Sequence, residues 1–149
     1  MAFTLPADYG YVLATATASV FVNQWYAIRT AQFRKQAQVP YPNSYATAAE
    51  MKDNKDKYLF NCAQRAHANF SEHWPAFLVG LVGGGLQYPL LSAGMGGVWL
   101  AARIMYNIGY TRADKEKGSG RNPAGSIAYL PELGLHILTG MTAYSMIMG

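Results

Sequence analysis

Apolar residues in this chain gather into four runs, Tyr9 to Ile28, Tyr58 to Gln87, Leu90 to Tyr110 and Ala124 to Met148, parted by two polar tracts and one short turn. Each run has roughly the 20 residues, at about 1.5 Å per residue, that a helix needs to cross a bilayer. The pattern predicts an all-α membrane protein, one domain over residues 1–149, with four transmembrane helices in up-down order. The second run starts charged and ends in FLVGLVGGGL, which carries neither charge nor hydrogen-bonding side chain. Its length exceeds a hydrocarbon core of about 30 Å, so its charged start is expected in the interface. Pro75 predicts a kink near Ser71, where the carbonyl loses its usual donor.

Gln87-Tyr88-Pro89 is too short for anything but a turn, so the second and third spans form a hairpin. The glycines at 83–85 and at 94, 96 and 97 follow no strand and make no G-x-G-x-x-G pattern; close helix packing is the expectation. Arg29 to Lys57, with six Lys/Arg, three acids, Pro40 and Pro42, reads as a solvated loop, as does Thr111 to Asn122, TRADKEKGSGRN. Pro123 suits the first turn of the last helix. Ala14-Thr15-Ala16 mimics a small-residue cleavage site, but no basic segment precedes it, which favours an uncleaved span. Asn23 and Gln24 interrupt that span and are expected to join helices.

Composition supports the membrane reading: 51% of residues are hydrophobic and 13% charged, against about 25% charged in soluble domains. The mean hydropathy of -0.01 averages over blocks, because most of the charge sits in the two tracts. A net charge of +4 does not indicate nucleic acid, since the basic residues are not spread over an aromatic-studded polar surface. They fit a cytoplasmic membrane face. The first tract holds six Lys/Arg and the third loop four, with none in the second loop or the termini; the positive-inside rule puts both charged loops in the cytoplasm and both termini opposite. Cys62, the single cysteine, excludes an internal disulfide and reads as a small buried apolar residue.

This topology gathers buried polar residues at one depth. Arg65, Asn69 and Glu72 fall at i, i+4 and i+7 on one face of the second span, and Arg103, Tyr106 and Tyr110 at i, i+3 and i+7 near the end of the third. Arg34 and Lys35 follow the first span, and Arg121 precedes the fourth. Cations with so few acids suit an anionic ligand bearing carboxylates, and Glu72 suits an ammonium on the same ligand. The competing reading is that the arginines snorkel to lipid phosphates. Glu132 and His136 share a face and are expected to make polar contacts between helices. His67 and His73 lie six apart and His136 belongs to another span, a spacing that supports no metal site.

The segments FNCAQRAHANFSEHWPAF, ARIMYNIGYTR and GSGRNPAGSIAYL, with DYGYVL and FRKQAQVPYP, resemble the membrane-associated proteins of eicosanoid and glutathione metabolism, most closely the type-3 microsomal glutathione S-transferases. The likeness covers nearly the whole chain. It implies a homotrimer in the endoplasmic reticulum or nuclear envelope that binds glutathione, as co-substrate, near the cytoplasmic face between subunits. Arg65, Asn69, Glu72, Tyr106 and Tyr110 resemble glutathione-binding residues of one subunit, and Arg34 and His67 those of its neighbour. Arg121 resembles the arginine that stabilises the thiolate, with Arg112 its competitor because the loop before Arg121 is longer than in the leukotriene-C synthase branch. That branch also has tyrosine where His73 stands. The implied activity is a glutathione transferase or peroxidase acting on lipophilic electrophiles, lipid hydroperoxides or epoxides such as leukotriene precursors. The alternatives are a non-catalytic carrier presenting a fatty acid to a partner enzyme, and a membrane scaffold.

Overall fold

Each apolar run folds into one uninterrupted helix. The computed structural model describes residues 4–149. Its long helices are α1 (Tyr9–Ala37), α3 (Lys55–Gly85), α4 (Pro89–Tyr110) and α5 (Asn122–Met148); a short α2 (Ala48–Asp53) lies between the first two, and a 3-10 turn (Glu116–Arg121) precedes the last. Among the described residues there is no strand.

The helix ends differ from the apolar boundaries for local reasons. α1 runs past Ile28 to Ala37, so Arg34 and Lys35 occupy its last turn and not a loop. Nothing in RTAQFRKQA breaks a helix, and two cations near the C-terminus favour its dipole. Gln38 closes it in the left-handed region (φ 52°), its N–H reaching the carbonyls of Arg34 and Lys35. The tract expected to be loop also contains α2, started by a capping box in which Thr47 and Glu50 satisfy each other's backbone N–H groups. α3 starts at Lys55, where the Asn54 side chain accepts from the N–H groups of Asp56 and Lys57, and runs through Pro75 as one helix.

The helices alternate in direction. Gly85 at the end of α3 packs on Val12 at the start of α1, and Gly84 meets Ser92 across the α3–α4 hairpin. Gly125 near the start of α5 meets Tyr106 near the end of α4. Both charged segments therefore lie at one end of the bundle. α3 packs on α1, α4 and α5. Gly80, Gly83, Gly84, Gly85 and Gly96 each face a neighbouring helix so closely that a Cβ would overlap it, whereas Gly94 and Gly97 have nothing within 4 Å; the packing expected of the second glycine cluster is thus met within this chain by Gly96 alone.

The core is an aromatic column: Phe77 stacks on Trp99 at 3.9 Å, and Phe70 tilts against Trp99 at 5.5 Å and Tyr26 at 4.8 Å. Polar groups are buried beside it, among them Ser19, Ser92, Arg103, Asn107, Glu132 and Thr142, while Phe21, Val79, Leu90, Val98, Leu130 and Ile137 face outward. Among the described residues no helix is long and apolar enough to cross a membrane. The polar residues that lower their mean hydropathy include several that bond across helices: Arg29 donates to Asn107 Oδ1 and Thr111 Oγ1, both at 2.8 Å, and Trp74 to Ser19 Oγ at 2.8 Å. Asn23 joins α1 to α3 through His67 Nε2, at 3.1 Å, whereas Gln24 is exposed.

Candidate functional site

Two of the cavities at the charged end of the bundle each hold more than one residue singled out in the sequence for glutathione. The first, of about 230 Å³, lies between α3, α4 and the start of α5, with Asn69, Arg103, Tyr106, Arg121, Ser126 and Tyr129 in its wall. The second, of about 430 Å³, is walled by Tyr45, Tyr58, Cys62, Arg65, Tyr110 and Lys117.

Arg103 is the innermost cation of the first cavity and only 3% exposed. An arginine in an apolar helix needs acceptors or aromatic faces, and this one has both. Its Nη2 donates to the Asn69 backbone carbonyl at 2.8 Å and to Asn69 Oδ1 at 3.0 Å. Its guanidinium carbon lies 5.3 Å from the Trp99 ring centre and 5.2 Å from that of Tyr106. Its backbone carbonyl accepts from the Tyr26 hydroxyl. Its Nε is buried with no partner. With Oδ1 engaged, the Asn69 amide keeps its NH₂ donors for a ligand.

Arg121 reaches the same cavity from the far side. Lys117 (φ 52°) and Gly118 (φ 62°) take left-handed conformations inside the turn, and the carbonyls of both accept from Arg121 Nη1, at 3.0 and 2.8 Å. The turn is pinned to α3, where the Tyr58 hydroxyl accepts from Gly118 N–H at 2.6 Å. It also presses on α4: a Cβ on Gly109 would sit 2.2 Å from the Gly120 carbonyl oxygen. Arg121 lies over the Tyr110 ring at 4.7 Å, and Tyr110 is edge-on to Tyr106 at 5.5 Å.

Of the residues singled out in the sequence, Asn69, Tyr106 and Arg121 meet in the first cavity, and Arg65 and Tyr110 in the second. Glu72 stands 3.9 Å from Arg65, both well exposed, so the pair adds little stability of its own. Arg34 and His67 lie away from both. Arg34 is over Tyr41 at 4.4 Å and Phe60 at 4.6 Å and donates to the Asn43 carbonyl at 2.7 Å; His67 sits in the α1–α3 seam. Arg112 turns outward and grips Asp114 with two bonds of 2.9 and 2.7 Å, which hold the Asp114 carboxyl below its ordinary range.

Ser126 and Tyr129 received no role from the sequence; Arg103 was placed only in the cationic cluster, and Glu132 only as a polar contact between helices, which it makes. An arginine within an apolar span was the available signal for Arg103; the others depend on the packing of α5. Glu132 and His136 do not bond each other. Glu132 accepts from Trp99 at 3.0 Å and bonds His73 on α3, whereas His136 bonds the Ala76 carbonyl at 3.0 Å. Among the described residues no three His, Cys, Asp or Glu side chains form a group able to hold a metal ion.

The family model described as the MAPEG family matches residues 12–141. The chain belongs to that family, whose members are integral to membranes and include glutathione transferases, peroxidases and proteins of eicosanoid synthesis, some of them non-catalytic.

Proposed function

We propose that this protein is a glutathione transferase or peroxidase embedded in the membrane, which holds glutathione as the thiolate for attack on lipophilic electrophiles, lipid hydroperoxides or epoxides arriving through the bilayer. In this reading the four long helices are the spans, with both charged loops in the cytoplasm and the protein in the endoplasmic reticulum or nuclear envelope. Glutathione lies at the charged end between subunits of a homotrimer. Asn69, Tyr106, Tyr110, Arg65 and Glu72 bind it from one subunit, and Arg34 and His67 of the neighbouring copy close the site.

The observation that carries the reading is the convergence of Arg103, Arg121, Asn69 and Tyr106 on one cavity: two guanidinium groups, an amide and a phenol suit a peptide with two carboxylates and a thiol. The cavity's volume, about 230 Å³, falls below the roughly 300–1,000 Å³ of a complete small-molecule pocket, which supports completion by a neighbour. A free thiol has a pKa of about 8.5, so the Arg121 guanidinium raises the thiolate fraction at neutral pH. Each unit by which it lowers that pKa is worth about 1.4 kcal/mol. The thiolate then attacks an electrophile held beside it, and no side chain acts as a covalent nucleophile.

Adding glutathione to the purified protein in detergent tests this. The expected result is a saturable rise in ultraviolet thiolate absorbance that Arg121→Ala removes. No such rise, with fatty-acid binding intact, would overturn the enzyme reading in favour of a lipid carrier.

A further inference from the structure

The His73–Glu132 pair lies outside the groups assigned to glutathione, and its construction exceeds what a helix clamp needs. His73 Nδ1 stands 3.0 and 3.2 Å from the two Glu132 carboxylate oxygens. Glu132 is 7% exposed, and one of those oxygens also accepts from Trp99 Nε1 at 3.0 Å. Trp99 is fully buried and stacked on Phe77, so the carboxylate is held by a side chain that has no room to move. A carboxylate fixed on one imidazole nitrogen sets the tautomer and leaves the other nitrogen as the atom that exchanges a proton. Among the described residues no hydrogen bond engages His73 Nε2, and the side chain is 23% exposed.

The ring stands directly behind the wall of the first cavity, with Tyr129 between. It stands edge-on to Tyr129 at 5.6 Å, and Tyr129 shares the cavity wall with Asn69 and Arg121. His73 follows Asn69 by four residues on α3, one turn further from the charged end. The cations therefore hold the polar end of the cavity, and the imidazole stands toward the apolar belt from which a lipophile enters.

We propose that His73 is the proton donor to the oxygen expelled from a hydroperoxide substrate, with Glu132 as its positioning residue; this rests on the glutathione reading above. The thiolate sulfur attacks the terminal oxygen of the hydroperoxide, an S–O bond forms and the O–O bond breaks. The electron pair leaves on the alkoxide, which takes the Nε2 proton of the His73 imidazolium to give the alcohol, leaving the neutral ring with its Nδ1 proton hydrogen-bonded to Glu132. The sulfur is oxidised to the sulfenic acid and the peroxide reduced. A second glutathione converts the sulfenic acid to disulfide and water, and His73 regains its proton from solvent.

The test uses two electrophiles and the full chain in detergent. Cumene hydroperoxide expels an alkoxide and needs a proton; chlorodinitrobenzene expels chloride and needs none. The readout is the ratio of their glutathione-dependent turnovers, which does not depend on the folded fraction. A positioned acid contributes about 10²–10⁴ in rate, so His73→Gln should lower the ratio about 100-fold or more. Glu132→Gln keeps an acceptor for Trp99 and His73, removes the charge, and should lower the ratio less; it gives the same readout if His73→Gln does not fold. An unchanged ratio in a protein active on both electrophiles overturns the assignment alone, as does wild-type activity on chlorodinitrobenzene only. A wild-type protein inert to both overturns the glutathione reading and this assignment with it.

Discussion

One nitrogen of Arg103 bonds both the backbone carbonyl of Asn69, at 2.8 Å, and its side-chain oxygen, at 3.0 Å, so a buried cation on α4 sets the direction in which an amide on α3 offers its donors. Lysine has no planar guanidinium to rest on Trp99 and Tyr106 while one nitrogen makes that double contact. Arg103→Lys should lower stability by about 1–3 kcal/mol, the scale of losing charge-assisted hydrogen bonds at a buried site. It should also raise the KM for glutathione roughly tenfold with kcat little changed, because in the proposed function Asn69 binds glutathione and does not react. Thermal unfolding in detergent and steady-state kinetics on one preparation separate the two effects.

Arg121 and Arg112 are the two arginines that could serve the thiolate, and their surroundings differ. Arg121 lines the cavity and rests on Tyr110, whereas Arg112 is spent on Asp114 at the surface. Removing one electrostatic donor aimed at a developing or reacting anion costs about 10²–10³ in kcat. Arg121→Ala should therefore lose turnover on that scale with a smaller change in glutathione affinity, and Arg112→Ala less than about twofold in either. Equal losses in both variants would transfer the role to Arg112.

The long helices were legible because apolar runs with few breakers leave little else for the backbone to do. Their ends were less so. Arg29 to Ala37 looks like loop by charge but consists of helix formers, and only Pro40 ends the possibility. The Thr47-x-x-Glu50 capping box was present in the sequence, yet six helical residues inside a polar tract give no periodicity to detect. At the site, Asn69 and Tyr106 were legible from helical spacing. The cavity position of Arg121 depends on two left-handed residues in the preceding turn, of which Gly118 adopts that region freely while Lys117 carries no sequence signal for it. His73 and Glu132 lie 59 residues apart, so local pattern paired Glu132 with His136, the only candidate within one turn.

Glu50 gives the first loop a defined acid response. Its carboxylate bonds Lys57, the Thr47 backbone N–H and the Thr47 hydroxyl, and these hold its pKa down to about 2. Because the folded value lies below the unfolded value of about 4.3, the contribution is complete above that unfolded value and disappears as pH falls through about 2. Amide protection factors in Ala48–Asp53, corrected for the intrinsic exchange rate, should stay high from neutral pH to about pH 4 and fall below it, while Glu50→Gln should show lower protection that does not change with pH. A wild-type transition centred near the ordinary glutamate value would contradict the capping geometry.

Gly109 sits where α4 meets the turn that carries Arg121, and the contact is backbone on backbone. A Cβ there would lie 2.2 Å from the Gly120 carbonyl oxygen and 2.7 Å from its carbon. No rotamer change relieves such an overlap, so Gly109→Ala must push the turn away from α4 and carry Arg121 with it. Overpacking of this kind costs about 1–3 kcal/mol, and the displaced guanidinium should remove most of the thiolate signal even in the fraction that folds. Gly140 on α5 is the comparison, since a Cβ there meets nothing within 4 Å. Gly140→Ala should stabilise by up to about 1 kcal/mol through helix propensity and leave the thiolate absorbance intact. Unfolding midpoints and glutathione-induced absorbance on both variants would show whether the Gly109–Gly120 contact fixes Arg121, because a turn held only by Tyr58 would keep its signal in Gly109→Ala.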